Sequence, residues 1–333
     1  MFEFDLGKAI AEIKKRKAKL VAVQVPEGMK TRLPAMLEEI EKKAGAEAFA
    51  FVDPCFGACG LKDVASKELG ADLLIHFGHT KFVAKEGIAT VYIPVEYTPD
   101  KRAVSRLAES LAKQMEKKGF KKIGLCSTIQ FRQHLKIVEA EMKKMEFRVF
   151  VGKGRNVEKG QVLGCNYSSI KAVGKKIDAI AFVGDGLFHP IGLSFAVNKL
   201  VFLANPIEKE VQELALQRDL FLRKRIAMIE NARQAKSFGI WVSTKKGQQR
   251  LALARQLKKK FEGKGKKAFV FTSNLLAPDY VLGIGIEAIV STACPRIALD
   301  DSSLYGKPVI NPAEARIVLG EKKLEDYEFE ELG

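Results

Sequence analysis

The chain has 333 residues, 47% hydrophobic and 29% charged, with 56 Lys and Arg against 40 Asp and Glu for a net charge of +16. That length exceeds one small core and predicts two or three domains, and the composition excludes a disordered or fibrous chain. The positive excess fits an acidic partner, yet its runs at residues 14–17, 117–118, 143–144 and 258–260 read as solvated helix faces and ends.

In chain order, residues 1–6 lack the basic-then-apolar layout of a signal peptide, which predicts a cytoplasmic location. The apolar residues 20–25 predict a strand, followed by the turn Val25-Pro26-Glu27-Gly28. Leu33, Met36, Leu37 and Ile40 share one side of a helix predicted over 32–43. A second strand over 48–52 runs into Asp53-Pro54-Cys55-Phe56-Gly57-Ala58-Cys59-Gly60. Asp72 leads a third apolar strand, which ends in His76-Phe77-Gly78-His79, and a fourth strand ends in Pro94-Val95-Glu96.

Residues 101–118 read as a linking helix, and then the pattern returns. A strand over 123–126 is followed by a helix over 133–145 with Leu135, Val138, Met142 and Met145 on one side. Next come a strand over 148–151, the segment Gly160-Gln161-Val162-Leu163-Gly164-Cys165, and a strand over 178–183 led by Asp178. That strand ends in a Gly-rich stretch carrying His189, and the copy closes with Pro206-Ile207-Glu208. After a mixed linker over 208–236, the third copy shows strands over 238–242 and 268–271 around a helix over 248–261. Glu287 then leads an apolar strand into Ser291-Thr292-Ala293-Cys294-Pro295-Arg296, and Pro312-Ala313-Glu314 closes the pattern.

The leading acids recur at intervals of 106 and 109 residues and the closing prolines at 112 and 106. Four ordered elements agreeing in three copies predict an internal triplication. Continuous apolar strands alternating with helices predict parallel sheets covered on both faces. The expected fold is α/β: three homologous parallel-sheet sandwiches about a pseudo-threefold axis, with domains 1–110, 111–215 and 216–333. Ligands of such sheets bind at the carboxyl ends of the strands, where all three cysteine segments fall.

Each cysteine by itself reads as a buried thiol, and Cys126, inside an apolar strand, reads so most simply. Five cysteines in a cytosolic chain are expected to be free thiols or metal ligands. Placement in Gly-rich edge loops favours ligation, and thiolate-only ligation points to zinc or an iron–sulfur cluster. The long spacings suit closed structural zinc poorly, whereas three ligands leave one iron of a four-iron cluster open to a substrate. Cys55 reads as a fourth ligand or a spare thiol. His76, His79 and His189 share the same edge, and His134 reads as structural. Gly283-Ile284-Gly285 precedes a strand where a dinucleotide fingerprint must follow one.

The segments at residues 25–28, 53–59, 76–79, 160–165 and 292–301 resemble, in order and over nearly the whole chain, the diphthamide-biosynthesis family, and specifically its archaeal first-step enzyme. The resemblance implies that Cys59, Cys165 and Cys294 hold a [4Fe-4S] cluster, with Cys55 and Cys126 extra. It implies that S-adenosylmethionine binds at the open iron and is cleaved by a cluster electron between sulfur and the γ-carbon. The 3-amino-3-carboxypropyl radical then adds to a histidine of translation elongation factor two. A homodimer and an external electron donor are implied too. Arg296 is the candidate for the methionine carboxylate, with Asp300 or Asp301 as its alternative partner. Gln161, His76 and His79 are candidates for the rest of that substrate.

Three other readings compete. A quinolinate-synthase-like lyase also holds a cluster by one cysteine from each of three domains, but uses the open iron as a Lewis acid. A non-catalytic basic protein would bind RNA or the ribosome with its cysteines buried and its binding steeply salt-dependent. No RNA-binding aromatic motif is present, so direct nucleic-acid binding is not expected. An inactive subunit of a heteromeric relative would lack ligands that are all present here.

Overall fold

The computed structural model describes residues 2–300 and 302–332. Asp301, one of the expected partners of Arg296, lies outside the described residues. The first region contains β1 (Phe2–Phe4), α1 (Leu6–Arg16), β2 (Leu20–Gln24), α2 (Leu33–Ala44), β3 (Glu47–Phe51), α3 (Asp63–Glu68), β4 (Leu73–Phe77), β5 (Thr90–Ile93) and β6 (Val95–Tyr97). The second contains α4 (Lys101–Glu116), β7 (Lys122–Ser127), α5 (Arg132–Lys144), β8 (Arg148–Phe150), α6 (Ser168–Lys171), β9 (Ala179–Val183), α7 (Phe188–Val197), β10 (Leu200–Asn205) and β11 (Glu210–Glu213). The third contains α8 (Ala215–Gln234), β12 (Ser237–Ser243), α9 (Leu251–Gly263), β13 (Lys267–Ser273), β14 (Ala288–Ser291), α10 (Pro295–Leu299), β15 (Val309–Ile310) and α11 (Pro312–Val318).

Each region builds four parallel strands in one order: β3-β2-β4-β5, β8-β7-β9-β10 and β13-β12-β14-β15. Strict parallelism ends there. β11 adds antiparallel to β10, and β1 pairs antiparallel with β6. Residues 210–213 are Glu-Val-Gln-Glu, too polar to announce a strand; pairing with β10 creates this one.

The inner strands of each sheet are largely apolar because both their faces are covered. Val21 and Val23 enter one core while Ala22 faces another, and Ile240 and Trp241 divide in the same way in the third sheet. Every Cβ alternates sides along a strand, so two coats of helix and loop demand an unbroken apolar run.

The recurring acid has one job in all three regions. The Asp72 carboxylate accepts the amides of Lys19 and Leu20 at 2.7 and 3.0 Å, and Asp178 accepts those of Lys121 and Lys122 at 3.0 and 2.8 Å. Glu287 accepts the Lys236 amide at 2.8 Å. Each acid thus ties the start of its strand to the start of the central strand. The closing Pro-x-Glu behaves differently in each region. Glu96 lies in β6, Glu208 in a turn and Glu314 in α11, where Asn311 and Glu314 form a capping box.

The buried side chains of α4, Val104 to Met115, all belong to the core of the second sheet, so residue 110 falls inside a helix of that region. In the third region, Arg225 and Glu314 are both buried and paired in two bonds of 2.8 Å. Arg225 also donates to the carbonyls of Ala298 and Val309 at 2.6 and 2.9 Å, which fixes α10 against β15. His134 is structural, as expected: its buried ring stacks on Tyr97 at 5.8 Å and 26°.

Glu314→Ala should cost about 3–5 kcal/mol in chemical denaturation, because it leaves a buried guanidinium unpaired. Glu314→Leu combined with Arg225→Met should lose much less. Burial pushes the His134 pKa down to about 4, against about 6.5 when unfolded. The unfolded chain therefore takes up the proton first, and stability contributed at this site falls as pH drops from about 7 to 4, on the order of 2–3 kcal/mol. His134→Phe should flatten the stability–pH curve in that window.

Candidate metal centre

Each cysteine loop docks on the carboxyl end of its own sheet's central strand. Gln24, the last residue of β2, donates its side-chain amide to the Gly60 carbonyl at 3.0 Å and accepts the Lys62 amide at 3.2 Å, which holds the chain just after Cys59. Ser127, the last residue of β7, bonds to Gly160 and Val162 at 2.9 Å each: its amide donates to the Gly160 carbonyl and its carbonyl accepts the Val162 amide. Thr292 donates its amide and hydroxyl to the Trp241 carbonyl of β12 at 3.0 and 2.8 Å, two residues before Cys294. This is the edge at which parallel sheets bind ligands.

The regions also touch one another at that edge. From the third, Gly247 donates its amide to the Cys59 carbonyl at 2.9 Å, and Gln248 Nε2 lies 3.1 Å from Cys59 Sγ. A Cβ on Gly247 would stand 2.7 Å from Cys59 Cα, so only glycine permits this approach. Lys246 pairs with Asp63 at 2.8 Å. First and second regions meet through Thr80 and Gln161 at 3.0 Å and through Gln130 and the Gly78 carbonyl at 3.0 Å. The segment around Phe329 returns to the second region: Leu332 donates to the Cys165 carbonyl at 2.9 Å, and Phe329 stacks edge-on with Tyr167 at 5.8 Å.

The three sulfurs lie within electrostatic reach of one another. Burial pushes the Cys294 thiol up to about 11, with Cys59 adding to the rise and Lys245 and Arg296 opposing it. Burial pushes Cys165 up as well, followed by the charges of Cys294 and Cys59. Thiols whose charged forms are disfavoured in this way become thiolates only with a multiply charged cation between them. A thiolate-only donor set of three, with the Gln248 amide beside one sulfur, fits an iron–sulfur cluster.

The other predicted residues fall as follows. Cys126 is buried in β7 with burial raising its pKa. Cys55 is buried four residues from Cys59, next to His76 and His79. Arg296 is exposed on α10, 2.9 Å from Asp300 and with its guanidinium carbon 5.6 Å from the Phe188 ring centre. Gln161 is buried and committed: its carbonyl accepts the Glu158 amide at 2.9 Å and its amide donates to Thr80. His76 has both ring nitrogens engaged, by Gln24 at 2.9 Å and His79 at 3.0 Å. His189 stacks on Phe182, and burial, then the Arg296 charge, pushes its pKa down to about 4.

Sequence reasoning missed Lys245, Gly247 and Gln248, and it missed residues 329–332. The first group had a signal. Residues 243–250 follow the central strand of the third copy, where Pro26-Glu27-Gly28 follows that of the first.

A family model described as diphthamide synthesis protein matches residues 25–329. The chain is 35% identical over 334 residues to a 2-(3-amino-3-carboxypropyl)histidine synthase of Pyrococcus horikoshii, covering all of this chain and 94% of that one. It is 30% identical over 346 residues to the synthase of the same name from Methanocaldococcus jannaschii, with the same coverage. It also resembles the crystal structure of Dph2 from Pyrococcus horikoshii with a 4Fe-4S cluster, at a TM-score of 0.90, 34% identity and coverage of 100% and 95%.

Gly247→Val should push the loop at residues 58–60 away from its neighbours. Iron retained after anaerobic reconstitution should fall to less than half that of the unsubstituted protein, read by colorimetric iron assay.

Proposed function

The chain belongs to the diphthamide synthesis family, and from that membership we propose that Cys59, Cys165 and Cys294 are the ligands of its [4Fe-4S] cluster. The chain is a 2-(3-amino-3-carboxypropyl)histidine synthase: it transfers the 3-amino-3-carboxypropyl group of S-adenosylmethionine to a histidine of translation elongation factor two, the first step of diphthamide biosynthesis. The observation that carries the ligand assignment is that three separate sheets each bring one cysteine loop to a shared electrostatic neighbourhood.

The cluster, when bound, supplies the electron that breaks the bond between sulfur and the γ-carbon of the methionine part. The chain's own residues hold and orient. Arg296, exposed beside the Cys294 helix, takes the methionine carboxylate and exchanges its bond to Asp300 for it. Gln161, with its carbonyl and amide already bonded, holds the Cys165 loop to the first region. Phe188, Phe329 and Tyr167 pack about the Cys165 segment, and the Gly164 Cβ position is filled by the Phe188 ring. This apolar packing keeps water from the buried thiolates.

Three further readings belong to the same proposal. The shared strand order and the shared use of the leading acid support a triplicated chain arranged about a pseudo-threefold axis. Domain limits near residues 98 and 214 respect α4 and α8 as intact helices. The enzyme works in the cytoplasm as a homodimer with an external electron donor, and its basic surface, of net charge +16, docks the elongation factor. Among the described residues no helix is long and apolar enough to cross a membrane.

Anaerobically purified protein should be brown, and on reduction should release methylthioadenosine from S-adenosylmethionine. Cys59→Ala, Cys165→Ala and Cys294→Ala should each lose at least tenfold in product and most of their iron, while Cys55→Ala and Cys126→Ala should keep both. A full cluster in any of the first three overturns that ligand assignment, and a cluster without methylthioadenosine favours the lyase.

A further inference from the structure

Beside the three proposed cluster ligands, a second group of ligating side chains gathers in the first region alone. Cys55 Sγ and one ring nitrogen each from His76 and His79 all lie within 4.8 Å of one another, with Cys55 and His76 buried. We propose that these three residues bind a single zinc-class divalent cation, separate from the cluster.

The surroundings select the His76 tautomer that ligation requires. Gln24 Nε2 donates to the Gly60 carbonyl at 3.0 Å, and its oxygen accepts the Lys62 amide at 3.2 Å, so the amide orientation is fixed. The Gln24 oxygen 2.9 Å from His76 Nδ1 therefore receives a proton from it. That leaves a lone pair on His76 Nε2, which accepts from His79 Nδ1 at 3.0 Å until an ion displaces the His79 proton. A histidine that donates one ring N–H to an oxygen acceptor and turns the other nitrogen inward has the outer-shell support of a metal ligand.

The backbone holds all three donors in place. The Cys55 amide donates to Glu27 at 3.1 Å. Gly78, between the two histidines, adopts φ +88°, and a Cβ there would stand 2.3 Å from the Pro26 ring. Only glycine allows this turn, which brings His79 back beside His76. A tetrahedral zinc ion holds two nitrogens about 3.3 Å apart and a nitrogen and sulfur roughly 3.6 Å apart. The present spacings need side-chain rotation and no movement of the sheet. One thiolate and two neutral imidazoles form a donor set that zinc accepts readily. Engaging Cys55 in this way also keeps a thiol four residues from Cys59 from competing for the cluster.

The test adds zinc to the anaerobically purified holoenzyme and records X-ray absorption at the zinc edge, which the iron does not obscure. One zinc per chain with one sulfur and two imidazole neighbours is the expected result. Cys55→Ser should remove the sulfur neighbour and weaken zinc binding at least tenfold while the iron content stays unchanged, and His79→Ala should weaken it likewise. No zinc above background, or an unaltered spectrum in Cys55→Ser, overturns the proposal. So does zinc that disappears in Cys59→Ala but persists in Cys55→Ser, since that ion would occupy cluster ligands. Should a variant lose its iron through misfolding, the holoenzyme spectrum decides, and a shell of oxygen neighbours alone overturns the site.

Discussion

The amide of Gly247 bonded to the carbonyl of Cys59 joins the first region to the third at the point where the thiols assemble. No side chain fits at residue 247, so the two backbones meet directly and the Gln248 side chain follows onto the sulfur. A contact of this kind is stiffer than one made by long side chains, because little rotamer freedom separates the partners. Thr80 with Gln161, and Leu332 with Cys165, complete a ring of contacts among all three regions. The thiols are held by the meeting of sheets.

Much of this was legible in the sequence because a parallel sheet covered on both faces leaves a strong mark. Apolar runs, helical spacing and a leading acid located the four repeated strands of each region. Asp72, Asp178 and Glu287 proved informative for a local reason: each caps the start of a central strand, so the same backbone need recurs wherever the unit recurs. Elements that depend on tertiary pairing left no such mark. β1 and β11 are short, polar in part and made strands by their antiparallel neighbours.

The proposed ligands came from the sequence, and the residues packed against them did not. A thiol announces its chemistry by type, whereas Gly247 acts through the absence of a side chain and Gln248 through a single amide. Gln161 shows the reverse case. Its residue type suggested a substrate contact, and the structure bonds its carbonyl to Glu158 and its amide to Thr80. Residue type states what a group can bond to, and only the fold states whether that capacity is already used.

The contact between Leu332 and the Cys165 carbonyl joins points 167 residues apart in the chain. A polypeptide emerging in order from the ribosome exposes the second region long before that partner exists. Phe329 reaches Tyr167 and Phe188 just as late. Until then the Cys165 loop lacks its cover, and its apolar neighbours face water. With Cys165 as a proposed ligand, maturation of the centre belongs after synthesis of all three regions, and a cell must keep that cysteine from oxygen and stray metal while the rest of the chain is being made.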